Sequence, residues 1–218
     1  SGGDTSGVSQ DAQGVILREM QDNEWSGLIA VGPPGSGKSL FAKSLGNSFR
    51  IPTMCIDTGA VKASLVGQSE QQIRAMLKVV KAIGGDRVFW VATCNKLDIV
   101  PPELKRRYTK GIYYFDPPTS PEKKKIWSMY CKKFSIPDQP LPDDEGWTGA
   151  NIYAACSAAW EEETTILQAS QSIIPITKSD PASIDALRKA AVGRWLSVSK
   201  PGTYSQEQLT QQMRRLEL

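Results

Sequence analysis

No histidine occurs anywhere in the 218 residues. That removes Ser–His and Cys–His activation of a nucleophile, and with it every imidazole metal ligand. Cysteine is scarce as well. Cys55, Cys94, Cys131 and Cys156 stand far apart with no C-x-x-C pair, which excludes zinc-ligand spacing. Their mostly apolar surroundings suit buried free thiols in a reducing cytosol, so a cytoplasmic location is expected. Neither sign of charge dominates: 26 Lys and Arg stand against 23 Asp and Glu, a formal net charge of +3. The two signs are intermixed, as on a solvated surface and unlike a nucleic-acid-binding stripe. Long apolar runs are missing too. Val88–Ala92 is far short of the ~20 residues that span a bilayer. The opening "SGGDTSG" follows no basic-then-apolar signal pattern and is expected to be a flexible leader or cloning remnant outside the fold.

What remains is an ordinary globular composition, 40% apolar and 22% charged, enough for one large domain or a medium one with a small companion. A short helix is expected over Val15–Asp22, then a strand at Leu28–Val31, a glycine-rich turn, and a helix from Lys38 to about Asn47. Thr53–Ile56 is a second short strand. Ser69 and Gln72 form a capping-box pattern, and Ile73, Met76, Leu77, Val80 and Ile83 recur at helical spacing as one apolar face. Gly84-Gly85 ends that helix. "RVFWVATCN" does not alternate, so it reads as a strand buried on both faces, and "GIYYFDPP" contains another. Strands alternating with helices predict an α/β fold: a parallel, doubly wound sheet of four to five strands with ligands at the strands' carboxyl ends. From Pro117 onward only helices are expected, a small helical lid domain. Ser120-Pro121 starts one helix, with Ile126, Trp127, Tyr130 and Phe134 facing inward. Thr148 caps the next, with Ile152, Ala155, Cys156 and Ala159 inward, and Asp180 to about Gly193 is a third. The division is therefore residues 1–13 leader, 14–117 nucleotide-binding domain and 118–218 lid.

The strongest local signal is Gly32-Pro33-Pro34-Gly35-Ser36-Gly37-Lys38-Ser39, which matches G-x-x-x-x-G-K-[ST] between a strand and a helix. Glycines let successive backbone N–H groups turn inward around an anionic phosphate, and the helix start adds partial positive charge. Lys38 reaches the outer phosphates and Ser39 ligates magnesium. Pro33, Pro34, Gly35, Ser36, Gly37, Lys38, Ser39 and Leu40 make up the binding set for ATP or ADP with Mg2+.

With "GPPGSGKS", "VATCN", "PPELKRRY" and "WTGANI" in that order, the chain resembles the AAA+ ATPases over about Gly14–Ala159, especially the protein-remodelling branch. The resemblance implies that Asn95, ending "VFWVATCN", positions the attacking water. It implies that Arg107, or its neighbour Arg106, reaches the nucleotide of the next subunit in a ring, a hexamer being one form. Gly149 and Ala150 in "WTGANI" then pack near adenine. "ASLVGQSE" falls where the family keeps its pore loop, with Leu65, Val66 and Gly67 in place of the aromatic. Each position also has a plain alternative: Asn95 a turn residue, Arg106 and Arg107 a solvated corner, Leu65-Val66 a core satellite, Gly149-Ala150 simple helix-start packing.

One family part is missing. An apolar strand ending in Asp-Glu, with a helix, should lie between the pore-loop helix and "VFWVATCN", but Ile83 and Asp86 are joined by two glycines. Asp143–Glu145 follow a proline-rich loop and read as a helix-start acidic cluster. Asp57 and Glu70 are the other nearby carboxylates. Either the unit is naturally absent or it was excised and Gly-Gly spliced across; removing a whole strand-plus-helix unit leaves a legal topology. Without those acids, magnesium's shell and the attacking water lose their holders. Three functions stay open: a ring-forming ATPase that remodels a protein partner, with hydrolysis impaired in this chain; a nucleotide-binding module without turnover; and a small-molecule P-loop kinase.

Overall fold

Ser26–Val31 form β1, and every residue after Ser26 in it is buried. The protein is described by a computed structural model covering residues 22, 24–50, 52–57, 70–85, 87–95 and 108–213. Packing divides these residues into two units. Lys38–Tyr113 and the strand before the glycine-rich loop form one, while Gly32–Gly37 with Tyr114 onward form the other.

In the first unit, α1 (Lys38–Phe49) leads from the loop to β2 (Thr53–Asp57). α2 (Glu70–Gly84) precedes β3 (Phe89–Cys94), and β4 is Ile112–Tyr114. The strand order is β2-β3-β1-β4, with β5 beyond β4. β3 pairs in parallel with β1, Ser26 opposite Phe89 through Val31 opposite Cys94. It pairs in parallel with β2 as well, Thr53 opposite Phe89 through Asp57 opposite Thr93. Strand β3 is buried from Trp90 to Cys94, which is why its apolar run does not alternate. On the other side of β1, the Ile29 N–H donates to the Gly111 carbonyl at 3.0 Å and the Lys110 N–H donates to the Gly27 carbonyl at 2.9 Å. Strand β1 thus has neighbours reached in opposite directions, which makes its carboxyl end the topological switch point.

The turn after α2 is tight. Gly85 takes φ +54°, and its N–H donates to the Lys81 carbonyl at 2.8 Å. The Gly85 carbonyl accepts from the Trp25 indole N–H at 3.0 Å, and Trp25 stacks on Trp90 with ring centroids 5.4 Å apart. Only Gly85–Val88 separate α2 from β3. One expectation fails here. Leu77 is buried (2% exposed) but Ile83 is 73% exposed, because the inward stripe runs from Leu77 through the half-buried Val80 and Gly84. A 3.6-residue repeat turns position 83 away from that stripe.

The second unit is mainly helical: α3 (Ser120–Lys133), α4 (Gly149–Glu161), α5 (Ile166–Ala169), α6 (Ile176–Ser179), α7 (Pro181–Ala191) and α8 (Gln206–Met213). Its core joins Trp127, Trp147, Ile152, Ala155, Cys156, Ala159, Ile166 and Ala169, so both expected inner stripes face one another. Thr119 and Thr148 each cap a helix with a capping box. The expectation of helices alone is corrected by β5, Leu196–Ser197, which has Val198 N–H donating to the Tyr114 carbonyl at 3.3 Å. Two residues are too few for alternation to betray a strand.

Candidate functional site

The loop Gly32–Gly37 owes its shape to three glycines and two tight contacts. Gly32 lies against the Phe115 backbone, where an added Cβ would come 2.9 Å from the Phe115 Cβ. Gly35 has φ +77° and Gly37 φ +94°, conformations that side chains resist. The Ser36 N–H donates to the Pro33 carbonyl at 3.3 Å, closing the turn. A Cβ on Gly35 would fall 2.6 Å from both the Ala150 Cβ and the Thr148 Oγ1. The Ala150 N–H donates to the Gly35 carbonyl at 3.3 Å, so one of the unpaired amides in the first turn of α4 is used on the loop. Thr148 is itself fixed, its N–H donating to Asn151 Oδ1 at 2.9 Å. Pro33 is buried and Pro34 exposed.

Lys38 and Ser39 follow Gly37 as the first residues of α1. Lys38 is only 7% exposed, while Ser39 and Leu40 are exposed. A lysine at a helix start stands beside the positive end of the helix dipole, where an anion is favoured. Asn95 is exposed and follows β3 directly, one residue beyond the Val31–Cys94 pair. It therefore sits at the carboxyl edge from which the loop departs. Asp57 ends β2 on the same edge, opposite Thr93.

Several expected positions do not enter this description. Arg106, Arg107 and Leu65–Gly67 lie outside the described residues. Of the acidic cluster, Asp144 serves structure: its Oδ1 pairs with Lys123 Nζ at 2.6 Å and its Oδ2 accepts from the Trp127 indole at 2.9 Å. Asp143 accepts from the Glu145 N–H at 3.1 Å. Among the described residues no group of three His, Cys, Asp or Glu is arranged to hold a metal. Magnesium brought in with nucleotide takes most of its ligands from phosphates and water and few from protein. The glycine cradle and Ser39 fit such a group. Thr148 and Phe115 are contributors that the motif did not reveal, since G-x-x-x-x-G-K-[ST] says nothing of what packs behind the loop.

Residues 28–84 match the model of the ATPase family associated with various cellular activities (AAA). Over those residues the chain is similar to the AAA ATPases. The AAA match ends at Gly84, the last residue of α2. An uncharacterized AAA domain-containing protein, ycf46, of Guillardia theta is 26% identical over 230 residues, covering 80% of this chain and 44% of that protein. The peroxisomal ATPase PEX6 of Eremothecium gossypii is 24% identical over 185 residues, with 62% of this chain and 18% of its own length covered. A cell division cycle protein 48 homolog of Archaeoglobus fulgidus is 23% identical over 184 residues, covering 61% and 25%. The chain thus spans less than half the length of these relatives. Among solved structures, the FIGL-1 AAA domain has 12% identity and TM-score 0.49, covering 82% of this chain and 86% of that one.

The alignment lengths carry a further fact. Since 80% of 218 residues is about 174, an alignment of 230 positions leaves roughly 55 positions of the Guillardia theta protein without a partner here. The same comparison with the Archaeoglobus fulgidus protein, 61% of 218 against 184 positions, leaves roughly 50. In the sheet of this chain β2 and β3 are direct hydrogen-bonded neighbours. Both edges of β3 are occupied, and among the described residues no strand stands between it and β2.

Proposed function

We propose that this AAA module binds ATP or ADP with Mg2+ through Pro33–Leu40, and that it turns ATP over poorly. The reading assigns Lys38 to the outer phosphates, Ser39 to magnesium, and Gly149 and Ala150 to the base side. Asn95 orients water, and Arg107, or Arg106, serves a neighbouring subunit's site. The observation that carries it is the Gly32–Gly37 turn, with positive φ at Gly35 and Gly37, leading into a helix whose first residue is a buried lysine. Poor turnover rests on the direct β2–β3 pairing, which closes the slot where an acidic strand would bring a magnesium-holding and a water-orienting carboxylate. General-base and positioning groups of this kind are worth on the order of 10²–10⁴-fold in rate. In the full-length relatives' setting, the module is a part of a ring-forming machine that remodels a protein partner in the cytoplasm. The direct β2–β3 pairing also favours a second reading, a module that holds nucleotide as a structural or regulatory ligand.

Titration calorimetry with ADP and Mg2+ tests the first claim. Binding is expected, and Lys38→Ala should weaken it by roughly 10–100-fold, the value of a charge-assisted hydrogen bond. No heat down to millimolar nucleotide with folded protein would overturn it. Phosphate release then separates the two readings. Turnover that rises with protein concentration and is lost in Arg107→Ala supports a ring; nucleotide-dependent thermal stabilisation without turnover supports the regulatory module.

A further inference from the structure

In the second unit a ridge of aromatic rings lies at the surface along α3 and α4. Tyr130 meets Tyr153 with ring centroids 5.3 Å apart, Phe134 meets Tyr153 at 5.6 Å, and Phe134 meets Trp160 at 6.0 Å. From the Trp127–Trp147 pair to the Phe134–Trp160 pair the residue numbers rise together, so the two helices run side by side in the same direction. Tyr153 is 41% exposed and Trp160 59%. Met129, one helical turn before Lys133, is exposed as well. The Lys133 ammonium lies over the Tyr153 ring at 5.0 Å and the Phe134 ring at 5.3 Å. Single exposed apolar residues are ordinary, but a contiguous row of large ones marks a contact surface. Aromatic rings dominate the binding energy of such surfaces.

Charge decides what covers the ridge. Lys132 and Lys133 are exposed at the end of α3, and Glu161, Glu162 and Glu163 are exposed at the end of α4. A uniformly acidic or uniformly basic partner is repelled by one of these two groups. A second copy is not. A two-fold rotation about an axis parallel to both helices lays α3 of one copy over α4 of the other, and α4 over α3. Lysines then face glutamates on both sides of the axis, and the rings pack on their own counterparts. An isologous contact has to be complementary to itself, and this pairing of signs satisfies that condition. We infer that two copies of this chain associate through the α3–α4 aromatic ridge, Lys132 and Lys133 of each lying against Glu161–Glu163 of the other. The rings supply the attraction and the charges select the partner. This two-fold contact is separate from the head-to-tail contact of a ring, and it requires neither nucleotide nor the phosphate loop.

Two charge-reversed chains test it. One carries Lys132→Glu and Lys133→Glu, the other Glu162→Lys and Glu163→Lys; Glu161 is kept because it accepts from the Ser157 hydroxyl at 2.7 Å. Sedimentation equilibrium is run without nucleotide, from micromolar to millimolar protein. The unaltered chain should pass from the mass of one chain to that of two and stop there. Each reversed chain alone should associate about tenfold more weakly or worse, since like charges then face each other across the axis. Mixed in equal amounts, the two should associate as the unaltered chain does, which also shows that both are folded. Trp160→Ala should weaken association by about 30-fold, as loss of a central ring does. A single-chain mass throughout would overturn the inference. So would growth beyond two chains, undiminished association of either reversed chain or of Trp160→Ala, or a mixture whose members stay apart.

Discussion

At position 35 a side chain meets two obstacles together: φ of +77°, and a Cβ site 2.6 Å from Ala150 and Thr148. Position 37 has the first obstacle at φ +94°, with nothing within 4 Å of an added Cβ. The two glycines should therefore separate in mutation. Gly37→Ala should cost about 1 kcal/mol, the backbone penalty alone, whereas Gly35→Ala should cost about 2–3 kcal/mol, since backbone strain and a clash add. Urea unfolding midpoints of the two variants check the difference; equal midpoints would mean that the contact with Thr148 and Ala150 relaxes freely. The motif made the loop legible, because glycines followed by Lys-Ser have a chemical reason to be adjacent. It did not make Gly35 special, since the pattern leaves that position open. The requirement comes from α4, more than a hundred residues away in the chain, and no local rule carries it.

Helices and strands were legible where the reason for them is local. Thr119 with Glu122 and Thr148 with Asn151 supply their caps within one turn, so the starts of α3 and α4 can be read off the sequence. Where an element is fixed by distant partners the reading failed, and β5 and Ile83 are the examples. The ion pair joining the end of β4 to α7 is of the same kind. Asp116 Oδ1 accepts from Arg188 Nε at 2.9 Å, and its Oδ2 accepts from the Tyr204 hydroxyl at 2.7 Å. Arg188 and Asp116 side chains are only 3% and 9% exposed. Burial disfavours the Arg188 charge, but the Asp116 carboxylate outweighs it and holds the guanidinium's pKa above its ordinary value. Arg188→Ala should cost about 3–5 kcal/mol, because it leaves a buried carboxylate without its cation. The partner substitution Asp116→Asn in that background should recover part of the loss. Chemical denaturation of the two variants measures this, and no recovery in the double variant would show that Arg188 acts by packing alone.

For the whole molecule, β2 pairs directly with β3, so among the described residues the sheet is closed at the place where the resemblance puts an acidic strand. Parallel strands tolerate this because the remaining crossover keeps its hand. The closed sheet still buries its polar groups at a cost that pH should expose. Tyr108, Tyr114 and Tyr204 are all buried. Burial raises each phenol above its ordinary value of 10.0, and the Asp116 carboxylate raises Tyr114 and Tyr204 further. The Tyr108 hydroxyl has no hydrogen-bond partner among the described residues, so none of them rewards its ionising in place. The folded chain keeps these phenols neutral while the unfolded chain gives up their protons near pH 10. Their contribution is thus whole below about pH 10 and is lost as pH climbs toward the raised folded values. Burial pushes the Cys156 thiol up to about 12. Stability should hold from neutrality to about pH 9, begin to slip as Cys156 enters its own window, and then fall by about 1.4 kcal/mol per pH unit for each tyrosine. Urea midpoints at about pH 8, 9, 10 and 11 give the slope, and Tyr204→Phe should make it shallower by roughly one tyrosine's share. A midpoint as high at pH 11 as at pH 8 would mean that the three phenols ionise as easily in the folded chain as in water.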